Sequence, residues 1–325
     1  MNREAYYGHQ SQIFGVEEHR LAGGRGDGMR LLEVKNGQGL EFTVSADRCA
    51  DISRISYRGV NLSYFAPCGY VSPQYYNTEP GGMGFLKSFT AGFITTCGLT
   101  SAGFPCEDGG ETVPLHGDIS HTPAEQIYHV IEDDKIKIRA LILNAWMFHQ
   151  KLELRREIGV SLSENYIEIS DEVKNKGSET YPLMILYHIN FGYPLLSEKA
   201  VMHIASRERH PFNEIAAEHL HEYDKLKPPS DDFIEQCYYH FFEKEGFASL
   251  YNPDLKIQAS VSFDIRELPY MVQWKLLKTR DYVIGFEPGN CHALGRNKMR
   301  EEGKLQFIAP GETKTFHVRI RLEDK

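Results

Sequence analysis

Positive charge in excess, an apolar leader, a membrane-length apolar run and paired cysteines are all missing from this sequence of 325 residues. Lysine and arginine number 36 against 45 aspartates and glutamates, which leaves a formal charge of −9 at neutral pH. A nucleic-acid groove needs a positive footprint and an anionic membrane a polybasic patch, so neither is the expected partner. The opening stretch from Met1 to Gly15 has no apolar segment of the kind that directs export. No apolar run approaches the roughly 18 residues a spanning helix needs. Six cysteines (Cys49, Cys68, Cys97, Cys106, Cys237 and Cys291) are scattered without a CxxC pair. They read as reduced thiols, not as a disulfide framework, and a cytoplasmic location is the expectation.

Strong catalytic signatures are equally scarce. There is no GxSxG, and the glycines of "GGRGDG" (23–28) fail the dinucleotide fingerprint because no apolar helix follows them. "GGMG" (81–84) lacks the lysine and Ser/Thr that a phosphate cradle requires. No cofactor is expected.

What the chain does have is alternation. In "KIKIRALIL" (135–143), Ile136, Ile138, Ala140 and Ile142 oppose Lys137 and Arg139. "KLELRREIGV" sets Leu152, Leu154, Ile158 and Val160 on one face, interrupted by Arg156, and "YIEISDEV" and "TFHVRIRLED" repeat the pattern. Turn-forming residues separate these runs at 132–134, 175–178 and 309–311. A side-chain period of two with one face apolar is the mark of antiparallel strands covering a core. Helical evidence is confined to "NEIAAEHLHEYDKL" (213–226), opened by Asn213 as an N-cap and followed by Pro228 and Pro229. The fold class expected is therefore all-β, a large antiparallel β-sandwich in one domain over 1–325. The charged and aromatic segment 207–246 reads as an insertion between strands.

Four stretches carry candidate chemistry. In "LMILYHINFGYPLL" (183–196), a strand reading puts His188 and Asn190 on one face with Leu186, while Ile185, Tyr187 and Ile189 share the other. The pair serves either as a buried hydrogen-bonded unit of the core or as one wall of a polar pocket. In "VPLHGDISH" (113–121), His116 and Asp118 share a face as candidate polar contacts to a substrate, and Gly117 between them permits close approach of a backbone or a ligand. His121 follows, which raises a metal set of His116, Asp118 and His121. That spacing matches no strong signature, and no metal is expected. In "YVIGFEPGNCH" (282–292), an apolar strand delivers Glu287 at its end, with Pro288 and Gly289 turning the chain. In "VSADRCADISRISYRG" (44–59), Arg48 is the arginine expected to reach inward.

The succession "PLHG", "YHINFGYPLL" and "GFEPGN" in an all-β chain of this length resembles the aldose 1-epimerases, or galactose mutarotase-like proteins. It is nearest to a poorly characterised branch known as a domain of unknown function, and the likeness runs from about residue 30 to the end. The resemblance implies a β-supersandwich with a sugar cleft on one sheet. His188 would be the general acid and Glu287 the general base, with His116 and Arg48 as sugar contacts. Asn190 would hold a hydroxyl or orient the imidazole, and Asp118 stands where galactose mutarotases carry a second glycine. Such an enzyme interconverts the α and β anomers of an aldose by opening and closing the ring. An ordinary glutamate is ionised at neutral pH, and a carboxylate beside His188 would favour its charged form. The partner expected is then a small carbohydrate, phosphorylated if Arg48, Arg54, Arg58 and Lys87 gather at a rim. A carbohydrate-binding protein without activity and a metal-dependent sugar isomerase are the alternatives.

Overall fold

The computed structural model describes residues 3–325, and Met1 and Asn2 lie outside it. Strands dominate the described residues, and they form three principal antiparallel sheets. A five-stranded meander occupies the first 61 residues. An eight-stranded sheet runs, from edge to edge, through 201–204, 246–252, 257–263, 313–324, 166–175, 151–161, 135–145 and 124–132. A six-stranded sheet has the order 208–211, 236–241, 270–278, 281–289, 184–191 and 94–99.

The alternation in the sequence is the alternation of burial. Along Lys135–Ala145 the side chains of Ile136, Ile138, Ala140 and Ile142 are buried while their neighbours reach towards water. They meet Leu154 and Ile158 of Lys151–Ser161 and Ile169 of Tyr166–Asn175 in one continuous core. The six-stranded sheet closes that core from the other side with Tyr187, Ile189, Phe191, Ile284 and Phe286. Burying such side chains contributes roughly 1.5–3 kcal/mol each, which makes the sandwich core the main support of the fold.

Arg156, the one charge in an apolar face, crosses this core as part of a closed ionic cluster. Its guanidinium donates to Asp51 at 2.6 Å, to Asp171 at 2.7 and 2.9 Å, to Thr96 Oγ1 at 2.8 Å and to the Cys49 carbonyl at 3.1 Å. Tyr187 donates its hydroxyl to Asp171 at 2.8 Å, and the Thr96 N–H caps Asp51 at 2.8 Å. Every charge is matched by hydrogen bonds, which is the condition for holding ions in a dry interior.

The segment 207–246 contributes two strands to a sheet. Glu208–Pro211 and Gln236–Phe241 are two strands of the six-stranded sheet, with the irregular part between them. The helix expected over 213–226 is shorter, Glu214–Glu218, although Asn213 caps it by accepting from the Ala216 N–H at 2.9 Å. Beyond it the backbone acceptors go to the sheet below. Tyr238 bonds the carbonyl of His219, Lys275 that of Glu222 at 2.8 Å and Gln273 that of Tyr223 at 2.7 Å. Those tertiary bonds take the place of a continuing helix and tie the segment down.

Candidate active site

The outer face of the six-stranded sheet carries the site. In an antiparallel sheet, directly paired residues project to the same side, so register alone assembles a row. Thr95 pairs with His188, Glu287 with Val272, Val272 with Tyr239 and Tyr239 with His210. The register that pairs Leu186 with Gly289 and Ile189 with Phe286 sets His188 opposite Glu287. Contrary to the turn expected after Glu287, the strand continues through Pro288 to Gly289, so the carboxylate lies inside the sheet.

His188 Nε2 and Glu287 Oε1 are 3.2 Å apart, with both side chains almost fully buried. Asn190 fixes the imidazole. Its Nδ2 donates to the carbonyls of His188 at 2.9 Å and Ala91 at 3.3 Å, so its Oδ1 faces His188 Nδ1, at 2.6 Å. Nδ1 therefore carries a hydrogen, and Nε2 is the atom presented to Glu287. The contact is at ion-pair distance without hydrogen-bond alignment, and Oε1 is left buried with no donor. Gly285, next along the floor, is required by crowding: a Cβ there would lie 2.8 Å from Glu287 Oε1 and 3.0 Å from Trp274 Cβ.

The protonation expected from ordinary carboxylate and imidazole behaviour does not hold here. Burial, reinforced by Glu235, pushes Glu287 well above the usual carboxylate range. Burial, with His116 nearby, holds His188 down at about 3. Removing either charge from water is costly, and each group is driven to its neutral form. At 3.2 Å the two are close enough for their titrations to be coupled.

His116 stands across from the pair, its ring 5.8 Å from that of His188 and tilted nearly perpendicular. Its backbone adopts φ 59°, a left-handed conformation that few non-glycine residues hold without support. The support is explicit. His116 N donates to the Gly103 carbonyl at 2.8 Å, its carbonyl accepts from Gly98 N at 3.0 Å, and Gly103 N donates to His116 Nδ1 at 3.3 Å. With Nδ1 accepting, the hydrogen of the neutral ring sits on Nε2; burial keeps the ring neutral, with a pKa of about 4. Gly117 makes the approach possible, for a Cβ would lie 2.3 Å from the Gly98 carbonyl oxygen and 2.6 Å from that of Ser101.

His116, His188 and Glu287 line one cleft of about 460 Å³. Phe89 and Trp274 meet His188 edge-on at 5.2 and 5.1 Å, and Phe85 packs on His116 at 5.1 Å. Trp274, Tyr75 and Tyr76 are aromatic residues a sugar platform could use; only Trp274 lines the cleft, while Tyr76 is stacked on His121 at 3.7 Å. A larger depression, about 850 Å³, lies on the outer face of the eight-stranded sheet among mixed charges, away from these residues.

Arg48 and Asp118 do not reach the cleft. The Arg48 guanidinium is buried and donates to the carbonyls of Ser120, Val71 and Ser88, at 2.6, 3.1 and 2.8 Å. Asp118 Oδ1 accepts from Asn144 at 2.9 Å. His121 is held by Ser88 and Ser120, at 2.9 and 3.1 Å. The three members of the metal set thus face different partners, and no group of three metal-ligating side chains converges among the described residues. Nor do the four cations expected near a phosphate gather. Arg54 lies over Phe65 and Arg58 pairs with Asp324, and none of the four lines the cleft.

Tyr239, Glu235, Asp281, Met83, Phe85 and Phe89 also line the cleft and were not singled out by the sequence. The alternation of Cys237 with Tyr239 in "QCYYHF" is the signal that could have placed a strand face there. It is masked by the charged residues on either side.

Solved structures share this architecture. A Klebsiella pneumoniae protein named as a candidate aldose 1-epimerase is 27% identical, with a TM-score of 0.91 over 97% of this chain and 86% of that one. A galactose mutarotase-like protein from Clostridium acetobutylicum is 12% identical, with a TM-score of 0.68 over 97% of this chain and 100% of that one. Galactose 1-epimerase from Lactobacillus acidophilus is 13% identical, with a TM-score of 0.64 over 96% and 99% of the two chains. At these last identities the likeness concerns the fold, which is galactose mutarotase-like. No curated protein matches the chain. Residues 26–322 match the model of DUF4432, a domain of unknown function, and the chain belongs to that family.

Proposed function

We propose that the protein is an aldose 1-epimerase-like isomerase acting on a small carbohydrate in this cleft. The observation that carries the reading is the His188–Glu287 pair, buried at 3.2 Å and leaving a carboxylate oxygen without a donor. The shared architecture with candidate and named epimerases supports it.

The chemistry follows from the proton count. In the empty cleft burial favours the proton on Glu287. A sugar hydroxyl donating to Oε1 supplies the missing hydrogen bond, which favours the carboxylate and moves the proton to His188 Nε2. His188 then protonates the ring oxygen as the bond from C1 to that oxygen breaks, and Glu287 takes the proton of the anomeric hydroxyl as the carbonyl forms. The open aldehyde rotates about C1–C2, and the reverse transfers close the ring on the other face. The dyad gains and loses one proton at different atoms, so it carries the same net charge before and after. Asn190 keeps Nε2 as the working nitrogen throughout, and His116 offers its Nε2–H to a neighbouring hydroxyl. Positioned acid–base groups contribute roughly 10²–10⁴-fold each.

Saturation-transfer NMR across a panel of free sugars tests the proposal directly. Wild type is expected to accelerate anomer exchange, and Glu287→Gln and His188→Ala to lose that acceleration. Folded wild-type protein that accelerates exchange of no sugar would refute it.

A further inference from the structure

The cleft is poor in free polar groups. Met83, Phe85, Phe89 and Leu115 form one apolar wall, with Trp274 packed against it. The polar side chains on the rim are mostly engaged with one another. Tyr64 donates its hydroxyl to Asp281 at 2.8 Å, and Trp274 Nε1 donates to Glu235 at 2.5 Å. Beyond the acid–base pair, and apart from the second carboxylate oxygens that Glu235 and Asp281 keep at the rim, two side-chain nitrogen or oxygen atoms in the lining lack a partner. One is His116 Nε2. The other is the Tyr239 hydroxyl, buried with no hydrogen-bond partner, in the same cross-strand row as Glu287. Burial raises the Tyr239 pKa, so the hydroxyl remains a donor. No lysine or arginine lines the cleft, whereas three carboxylates do: Glu235, Asp281 and Glu287.

A hexopyranose brings five hydroxyls and a ring oxygen. The ring oxygen and the anomeric hydroxyl belong to His188 and Glu287, and the four remaining hydroxyls can be met by His116, Tyr239 and the rim carboxylates Glu235 and Asp281, none of which belongs to the Phe85–Phe89–Leu115 wall. A hydroxyl pressed onto the Phe85–Phe89–Leu115 wall loses its water and gains nothing. An anionic group would meet carboxylates with no cation to offset them. Resting on the epimerase reading, we infer that the ligand is an uncharged, partly deoxygenated aldose. Its deoxy carbon lies against the Met83–Phe85–Phe89–Leu115 wall, and a remote hydroxyl bonds to Tyr239.

Matched pairs decide the matter: L-fucose against L-galactose, L-rhamnose against L-mannose, D-fucose against D-galactose, and 2-deoxy-D-glucose against D-glucose, with D-galactose 6-phosphate as the charged probe. For wild type, the kcat/KM of anomer exchange is expected to favour the deoxy member at least tenfold in one pair or more, since one stranded hydroxyl is worth about that factor. The phosphate is expected to exchange at its uncatalysed rate. Exchange with no such preference, or with the phosphate turned over best, overturns the inference and leaves the epimerase reading in place. If no sugar exchanges, the epimerase reading fails, and saturation-transfer difference binding of the same pairs decides the inference separately. Tighter binding of a deoxy member then upholds it; equal binding, preference for the hydroxylated member or no binding overturns it. Met83→Gln places an amide on the half-buried edge of the wall and is expected to narrow the discrimination. Unchanged discrimination in that variant moves the deoxy carbon off this wall and also overturns the assignment.

Discussion

Tyr187 and His188 are consecutive residues of one strand, and they lead into opposite kinds of polar interior. Tyr187 points into the sandwich core, where its hydroxyl completes the Arg156–Asp51–Asp171 cluster and every charge has its donors or acceptors. His188 points into the cleft, where it meets a carboxylate whose Oε1 has no donor and lies near a tyrosine hydroxyl with no partner. The two residues stand on opposite faces of the same sheet, one on the core side and one on the cleft side. The Arg156 cluster is closed on itself, whereas Glu287 Oε1 and the Tyr239 hydroxyl in the cleft are each left without a partner. The difference separates a cluster that stabilises the protein from one that waits for a ligand.

The comparison breaks most visibly at Glu287. Glu287→Gln is expected to lower anomer exchange roughly 10²–10⁴-fold. It should change unfolding free energy in urea by less than about 1 kcal/mol, because an amide replaces a carboxyl already driven towards its neutral form. A large loss of stability would mean that the pair serves the fold as the core cluster does. Arg156→Met is the converse. Breaking a buried ionic cluster leaves two carboxylates unmatched, and a destabilisation of about 3–5 kcal/mol is expected from denaturant midpoints. A small cost would show that the cluster is not closed in the way its distances describe.

Acid sharpens the contrast further. An unfolded histidine takes up its proton near pH 6.5, whereas burial lowers folded His116 and His240 to about 4 and His121 to about 2, and for His188 the proton gained on unfolding is offset by the one Glu287 gives up. Below about pH 6.5 the unfolded chain therefore binds more protons than the native one, and stability falls as pH falls. The slope approaches about 1.4 kcal/mol per pH unit for each such histidine until the folded values are reached. Thermal melts from pH 7 to pH 5 check the sign. Over the same range, kcat/KM for exchange is expected to show no inflection near 6.5, since the dyad keeps its single proton.

The finest comparison uses two tyrosines. Tyr187→Phe removes a donor from Asp171 and is expected to cost about 1–3 kcal/mol. Tyr239→Phe removes a hydroxyl that has no partner and should cost nothing measurable, or add slightly to stability, while weakening ligand binding. Equal losses from the two would show that Tyr239 is satisfied within the protein.

The strands were legible because each buries one face: the alternation in 135–143 and 151–160 is the pattern the core imposes. His188 with Asn190, His116 and Glu287 were legible because polar residues on apolar strands stand out, and the structure brings all four together. Arg48 and Asp118 were misplaced for a physical reason. Inward direction can be read from an apolar neighbour, but the partner cannot, and both found protein acceptors or donors before they reached the cleft. The protonation of the pair was out of reach as well, since it depends on burial from residues scattered along the chain. Tyr239 and the 236–241 strand were hidden because charge on neighbouring loops outweighs a short alternation.

The register of the 184–191 strand has a consequence for how such a site can be lost. A slip of one residue would exchange the faces of Tyr187 and His188, putting imidazole into the core and phenol into the cleft, and would expose the whole apolar set. Such a slip cannot dismantle the dyad and spare the fold. Replacing the side chain of His188 or Glu287 can, and it would leave a cleft of the same shape free to acquire another use.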